Sequence, residues 1–280
     1  MADTGLTHAV WLHGVPQLIE ECAAEWELTI GEPYTAGAAG YTVRADCADG
    51  IPAVLKLIYP HREAEHEATA LEVWDGDGAV RLLAHDDERW AVLIERCEPG
   101  TLLAQIDGDA ALDVLIGLLP RLWRRVTEPF RPLAEEAAWW IEYLPDEWER
   151  AGRPFERRLL DEAIDLLETL SQSQGEQVLV HQDLHTDNVL AAQREPWLVI
   201  DPKPLIGERE FAVAPIVRDF ELGHSRRDAL NRVDRLTSEL GLDRERVLGW
   251  TVGQSVAWAF DSTYIRTHLE TVRWLWEARA

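Results

Sequence analysis

Lysine is almost missing from this chain. Of its 27 lysines and arginines, only Lys56 and Lys203 are lysine. Where a generic positive charge suffices, this composition supplies arginine. A lysine that persists therefore points to a task needing a compact ammonium rather than a planar guanidinium. Cysteine is scarce too. Cys22, Cys47 and Cys97 form neither a CxxC pair nor a framework of bridges, which excludes a disulfide-stapled scaffold and fits a reducing compartment. Long apolar runs are lacking, since "PAVLKLI" and "AVLIE" fall far short of a membrane span. The first residues, "MADTGLTHAVWLHGVPQLIEECAAEW", carry no basic region followed by an apolar core, so no signal peptide is expected. These absences together predict a cytoplasmic protein with no membrane partner.

Positive charge is also in deficit, with a net charge of −24. Such a surface repels nucleic acid and anionic lipid and attracts a small polycation. The same acidity also keeps a protein soluble, so charge alone does not choose a partner. Hydrophobic residues at 46% and charged residues at 28% are ordinary globular values, and 280 residues suffice for one large domain or two lobes.

The first hundred residues read as short strands. "WELTI" (26–30), "YTVRAD" (41–46) and "PAVLKLI" (52–58) are rich in β-branched and aromatic residues, and "ADGIP" reads as the hairpin turn joining the last two. "HREAEHEATALEVW" then turns helical, with Ala64, Ala68, Leu71 and Trp74 at three-to-four spacing. "VRLLAHD" and "WAVLIE" return to strand. Beyond residue 107 helices dominate: "DAALDVLIGLLPRLWRRV", with a kink expected at Pro120, then "LAEEAAWWIEYLPDEWERA" and "FERRLLDEAIDLLETL". Near the end "RDALNRVDRLTSELG" stops at Gly241, a C-cap candidate, and Asp243 is the N-cap candidate of the next helix. One strand-like island interrupts this half: strand 178–180, polar loop 181–188, then strands 189–192 and 197–200.

That island contains "HQDLHTDNVLAAQREPWLVIDPK" (181–203), which suits two chemistries. His181, Asp183, His185 and Asp187 alternate as strand residues do and could hold a catalytic zinc, making a metal-dependent hydrolase the alternative from another class. Zinc hydrolases take further ligands from separate loops, however, and the remaining candidates, such as His224 and His268, stand in no motif. Phosphoryl transfer needs a carboxylate beside the acceptor hydroxyl, oxygen ligands for Mg²⁺ and a cation on the nucleotide phosphates. Asp183 could take the hydroxyl proton, while Asn188 and Asp201 offer the hard oxygens that Mg²⁺ prefers. Lys56, on a strand, could reach the α and β phosphates of ATP. A glutamate on the following helix would pin that ammonium, with Glu67 the first choice and Glu63 the second. This second chemistry accounts for Lys56 and Asp201, which the first does not.

"HQDLHTDN" resembles the HGDLHxxN-type catalytic loop of the aminoglycoside phosphotransferase family, a form of the protein-kinase catalytic loop. "ADGIPAVLKL", "HEATAL", "AVRLLAHDDERWAVLIERCEPGTLL" and "IDPKPLIGEREFAVAPIVRD" resemble, in order and spacing, its streptomycin 6-phosphotransferase and hydroxyurea phosphotransferase branch. The resemblance implies an α+β, bilobal, protein-kinase-like fold. Residues 1–97 would be a small β-rich nucleotide-binding lobe and 98–280 a larger helical lobe with the catalytic loop and substrate pocket. It implies ATP and Mg²⁺, with Asp183 the catalytic base, Asn188 and Asp201 the metal ligands, and Lys56 on the phosphates. The backbone of Glu95, Arg96 and Cys97 would receive adenine, His181 would hold the loop, and Lys203 would either approach the γ-phosphate or pair with an acid. The expected reaction is O-phosphorylation of a small cationic acceptor, a streptomycin-type aminoglycoside, with hydroxyurea or another amino sugar or alcohol as the alternative of the same fold.

Three positions depart from the family pattern. Gln182 stands where glycine is usual, which narrows the backbone's freedom there. "TAGAAGYTV" is a thin phosphate-covering loop whose Gly37 and Gly40 serve equally as turn glycines. Ala212 stands where the family often carries an acid. For a cationic acceptor, Glu142, Asp219, Glu221 and Asp261 are the candidate carboxylates. Trp139, Trp140 and Trp258 are expected in the core before any role in stacking a sugar.

Overall fold

The computed structural model describes residues 7–34, 40–260 and 265–279. Its backbone separates into two compact units, Met1–Thr101 with Leu190–Lys203, and Leu102–Val189 with Pro204–Ala280. Gly37 and Asp261 lie outside the described residues.

The first unit opens on a helix. Residues 8–25, read from sequence only for the absence of a leader, form α1 (His8–Glu25), capped by the Thr7 hydroxyl. It is followed by β1 (Thr29–Pro33), β2 (Gly40–Asp46), β3 (Pro52–Ile58), α2 (Glu67–Trp74), β4 (Leu82–Asp86) and β5 (Ala91–Glu95). The strands form an antiparallel sheet in the order β1-β2-β3-β5-β4. Ala53, Leu55 and Leu57 share a core with Val43, Ala45, Leu93 and the α1 residues Trp11, Val15 and Cys22. Side chains alternate along a strand, so Val54, Lys56 and Ile58 point to the opposite face. Val54 and Ile58 are buried there as well. β3 is covered on both sides, which is why its sequence is a nearly unbroken apolar run in which Lys56 stands out.

The helix expected over residues 61–74 is two pieces. A 3₁₀ turn covers Arg62–Ala64, and His66 (φ +67°) adopts a left-handed conformation before α2 begins. That backbone cannot continue a right-handed helix, so Glu67 becomes the first residue of a new one. Gly40 pairs with Ile58, and a Cβ there would meet the Leu57 carbonyl oxygen at 2.8 Å. Its need for glycine comes from strand pairing.

The second unit contains α3 (Gly108–Leu122), α4 (Leu133–Arg150), α5 (Arg157–Gln172) and β6 (Gln177–His181). Pro120 lies in the last turn of α3, which ends two residues later at Leu122. The loop 182–188 follows, then the short hairpin of β7 (Val189–Ala191) and β8 (Trp197–Val199). Residues 190–203 are hydrogen-bonded into the first unit: Val80 N donates to Val199 O, Val199 N to Gly78 O, and Gly100 N to Ala191 O.

The chain then makes β9 (Pro204–Glu208), a strand the sequence did not announce, antiparallel to β6 with His181 opposite Pro204. α6 (Arg209–Ala212), α7 (Ala214–Arg218), α8 (Arg226–Leu240), α9 (Arg244–Ala257) and α10 (Ile265–Glu277) complete the unit. Gly241 (φ +67°) caps α8, and the Asp243 carboxylate accepts from Arg246 N at the start of α9, both as expected. α9 is buried on every side from Val247 to Ala257, the pattern of a central helix. It packs against α5, α7 and α10.

Candidate active site

The first unit assembles three groups far apart in sequence. Lys56 Nζ donates to both oxygens of Glu67, each at 2.7 Å, and to Asp201 Oδ1. β3 aims Lys56 away from the α1 core, α2 begins at Glu67, and the 190–203 segment brings Asp201. Burial alone would lower the Lys56 pKa, but Asp201 and Glu67 override it and hold the ammonium above its ordinary value. Burial lifts the Glu67 carboxyl to about 7, with Lys56 opposing and Asp201 adding to the rise. Asp201 itself has φ +55°, a left-handed conformation that asparagine and aspartate tolerate better than most residues. Glu63, the second choice for pinning Lys56, lies 3.2 Å from Lys203 Nζ instead, so each lysine has its own glutamate.

Glu95, Arg96 and Cys97 sit where β5 ends. Glu95 is held by Arg194, whose Nε and Nη2 reach its carboxylate at 3.0 and 2.6 Å. Arg194 also donates to the carbonyls of Gly76 and Ala79. Arg96 donates to Glu98 and Asp46. Burial, reinforced by Glu95, pushes the Cys97 thiol up to about 12, so it stays protonated. In a chain so rich in arginine, Arg194 carries no signal in the sequence.

The second unit holds the loop after β6. Asp183 N donates to His181 Nδ1 at 3.1 Å, and Asp187 N to His185 Nδ1 at 3.3 Å. Both rings are thereby engaged by the loop's own backbone. Asn188 Nδ2 donates to the Asp183 carbonyl at 2.8 Å and lies 3.2 Å from His185 Nε2. With its nitrogen so held, the Asn188 amide oxygen is the atom that could serve as a ligand. The oxygens of Asn188 and Asp201 are hard donors that fit Mg²⁺. Among the described residues, no group of three His, Cys, Asp or Glu side chains is arranged to hold a metal ion. With His181 and His185 engaged as they are, the zinc alternative has no support in this loop.

Of the candidate acids for a cationic acceptor, Asp219 has another task. Its Oδ2 accepts from both Thr186 N and Thr186 Oγ1 at 2.8 Å, so it anchors the loop. Glu142 and Glu221 are exposed. The Glu221 pKa is raised by burial and by Asp187 and Asp219 nearby, so acids gather on this side of the loop. Trp140 is fully buried, as a core residue should be, while Trp139 packs edge-on to Tyr143.

The family model for aminoglycoside/hydroxyurea antibiotic resistance kinases matches residues 26–263. The chain belongs to that family. It is 39% identical over 251 residues to a streptomycin 6-kinase of Streptomyces griseus, covering 87% of this chain and 81% of the relative. It is equally similar, 39% over 251 residues, to a hydroxyurea phosphotransferase of Kitasatospora aureofaciens, covering 88% and 72%. Among solved structures, a choline kinase from Streptococcus pneumoniae superposes with a TM-score of 0.66 at 13% identity, covering 95% of this chain and 99% of that one. The aminoglycoside phosphotransferase APH(4)-Ia, in a ternary complex with ADP and hygromycin B, gives 0.63 at 13% identity, with 93% and 95% covered. At these identities the likeness shows the fold alone, a bilobal protein-kinase-like α+β architecture. Among the described residues of this family member, no helix is long and apolar enough to cross a membrane.

Proposed function

We propose that this protein is an ATP-dependent O-phosphotransferase acting on a streptomycin-type aminoglycoside. The observation that carries the reading is the contact of the Lys56 ammonium with both Glu67 and Asp201 within one unit. Lys56 binds the nucleotide phosphates, and Glu67 fixes the direction of its ammonium. The backbone of Glu95 to Cys97 receives the adenine. Asn188 and Asp201 would hold magnesium, which would supply neutralisation of charge on the phosphate oxygens. Asp183 orients the acceptor hydroxyl and takes its proton as the oxygen bonds to phosphorus. The similarity to a streptomycin 6-kinase favours the aminoglycoside, and a net charge of −24 draws a polycation. Equal identity to a hydroxyurea phosphotransferase supports the second acceptor, a small neutral molecule that needs no acidic partner.

The test incubates purified protein with ATP and Mg²⁺ against streptomycin, other aminoglycosides and hydroxyurea. ADP release and a mass gain of about 80 daltons on the acceptor identify the substrate. Asp183→Asn is expected to cut transfer to a small residual rate while nucleotide binding persists, and near-wild-type turnover in that variant removes Asp183 as the base. Chelation of Mg²⁺ is expected to stop the reaction, with zinc failing to restore it.

A further inference from the structure

We propose that Arg218 is a positioning residue for the Asp183 carboxylate, clamped in place from α9; the proposal rests on Asp183 being the acceptor base. Arg218 ends α7, inside the apolar stretch "FAVAPIVRDF", and is 6% exposed. A guanidinium so enclosed requires a counter-charge and fixed hydrogen bonds. Its Nη2 lies 3.7 Å from Asp183 Oδ1, close enough to attract the carboxylate yet too long for a hydrogen bond. Its Nη1 donates to Gln254 Oε1 at 2.6 Å, and its guanidinium lies over the Trp258 ring, 4.8 Å from the centroid. Gln254 and Trp258 are four residues apart, so they share one face at the end of α9.

Gln254 does more than hold the cation. Its Nε2 donates to the Gln182 carbonyl at 2.8 Å, and the residue is fully buried. One amide therefore grips the backbone immediately before Asp183 and the guanidinium beside the Asp183 side chain. The next residue, Asp219, holds Thr186. The dipeptide Arg218–Asp219 thus contacts the loop at its base and again three residues later. Arginine keeps its proton throughout the working pH range, so Arg218 exchanges none with the substrate. Its effect is to fix where the Asp183 oxygens lie.

The experiment is a double-mutant cycle with ATP and streptomycin as probes. Arg218→Ala is expected to lower kcat about 10²-fold, as misplacing a reacting group does, while KM for ATP stays within about twofold. Arg218→Lys keeps the charge without the planar fork and should recover part of the loss, as should added guanidinium on Arg218→Ala. In the Asp183→Asn background, Arg218→Ala is expected to have little further effect on residual turnover. An equal fall in both backgrounds, or an unchanged kcat, overturns the proposal. Wild-type turnover in Asp183→Asn alone is a different result, which removes the base assignment. Gln254→Met, which loses the clamp but not the charge, repeats the test should Arg218→Ala fail to fold. A crystal structure of Arg218→Ala or Gln254→Met reads the claim without any turnover. The Asp183 carboxylate is expected in another rotamer, and an unmoved carboxylate overturns the proposal.

Discussion

Lys56 Nζ sits 2.7 Å from each carboxylate oxygen of Glu67, so one ammonium is shared evenly across a buried acid. This geometry explains why lysine persists at position 56 in a chain that otherwise uses arginine. A point charge on a flexible stem can meet Glu67 and Asp201 together, whereas a planar fork approaches one carboxylate side-on. Lys56→Arg is therefore expected to lose about 10²-fold in kcat/KM although the charge is kept. Glu67→Gln, which loosens the ammonium without removing it, should raise KM for ATP about tenfold. Steady-state kinetics at varied ATP concentration checks both, and an active Lys56→Arg enzyme would remove the ammonium requirement.

Much of this triad was legible beforehand for a physical reason. Scarcity made Lys56 conspicuous, and a glutamate on the following helix was its expected partner, with Glu67 the first choice and Glu63 the second. The candidate loop stood out because its residue types lie at fixed short spacings, "HQDLHTDN", and such spacing survives in one dimension. What sequence hid was tertiary. The expected single cut at 97/98 is a local reading, whereas residues 190–203 group with the first unit through hydrogen bonds to Gly78, Val80 and Gly100 that no periodicity encodes. α1 carried a signal, with Trp11, Val15 and Cys22 at helical spacing, but a segment weighed only as a leader shows nothing of its partner. β9 was masked by the prolines of "DPKP", since proline argues against a strand except at its first residue, where Pro204 stands.

Arg218 shows the same limit from the other side. An arginine closing the apolar run "FAVAPIV" is a signal by itself, because a buried cation needs a counter-charge and the neighbouring Asp219 is taken up by Thr186. Only packing says that the anion is Asp183. Asp219 was a reasonable substrate acid by charge, and its place beneath Thr186 makes it part of the loop.

Packing between α5 and α9 yields a stability prediction. A Cβ on Gly253 would stand 2.7 Å from Leu167 Cδ2 and 2.8 Å from its Cγ. Gly253→Ala gains about 1 kcal/mol of helix propensity but incurs about 1–3 kcal/mol of overpacking. The net is expected to be destabilising by about 1 kcal/mol, a fall in Tm of about 2–4 °C. Adding Leu167→Ala should make the pair less damaging than the sum of the two changes. A Gly253→Ala protein that melts higher than wild type would refute the close approach.

Gln182 gives a prediction of opposite sign. Its side chain is fully buried, and neither amide atom has a hydrogen-bond partner among the described residues. A buried polar group so placed costs about 1–3 kcal/mol. Gln182→Met nearly preserves volume and removes the polar atoms, while the carbonyl that Gln254 holds is unchanged. Stability is expected to rise by about 1 kcal/mol, read from the urea midpoint at constant m-value. A loss of stability would mean the amide has a partner in solution.

His268, on α10, makes stability depend on pH. Burial pushes its pKa down to about 4, with Arg218 adding to the fall, Asp183 opposing and His224 adding again. Its ordinary value is 6.5. Between these values the unfolded chain binds a proton that the folded chain refuses, so protonation favours unfolding. The sign follows: stability is full above pH 6.5 and declines as pH falls toward 4. From pH 6.5 to 5.5 this one group is expected to remove about 1 kcal/mol. That window lies above the ordinary range of the carboxylates, whose own titration would otherwise mask it. Urea unfolding of wild type and His268→Gln at both pH values isolates the effect, because glutamine has no proton to gain. The wild type should lose about 1 kcal/mol more than the variant, and parallel losses would mean that His268 protonates as readily folded as unfolded.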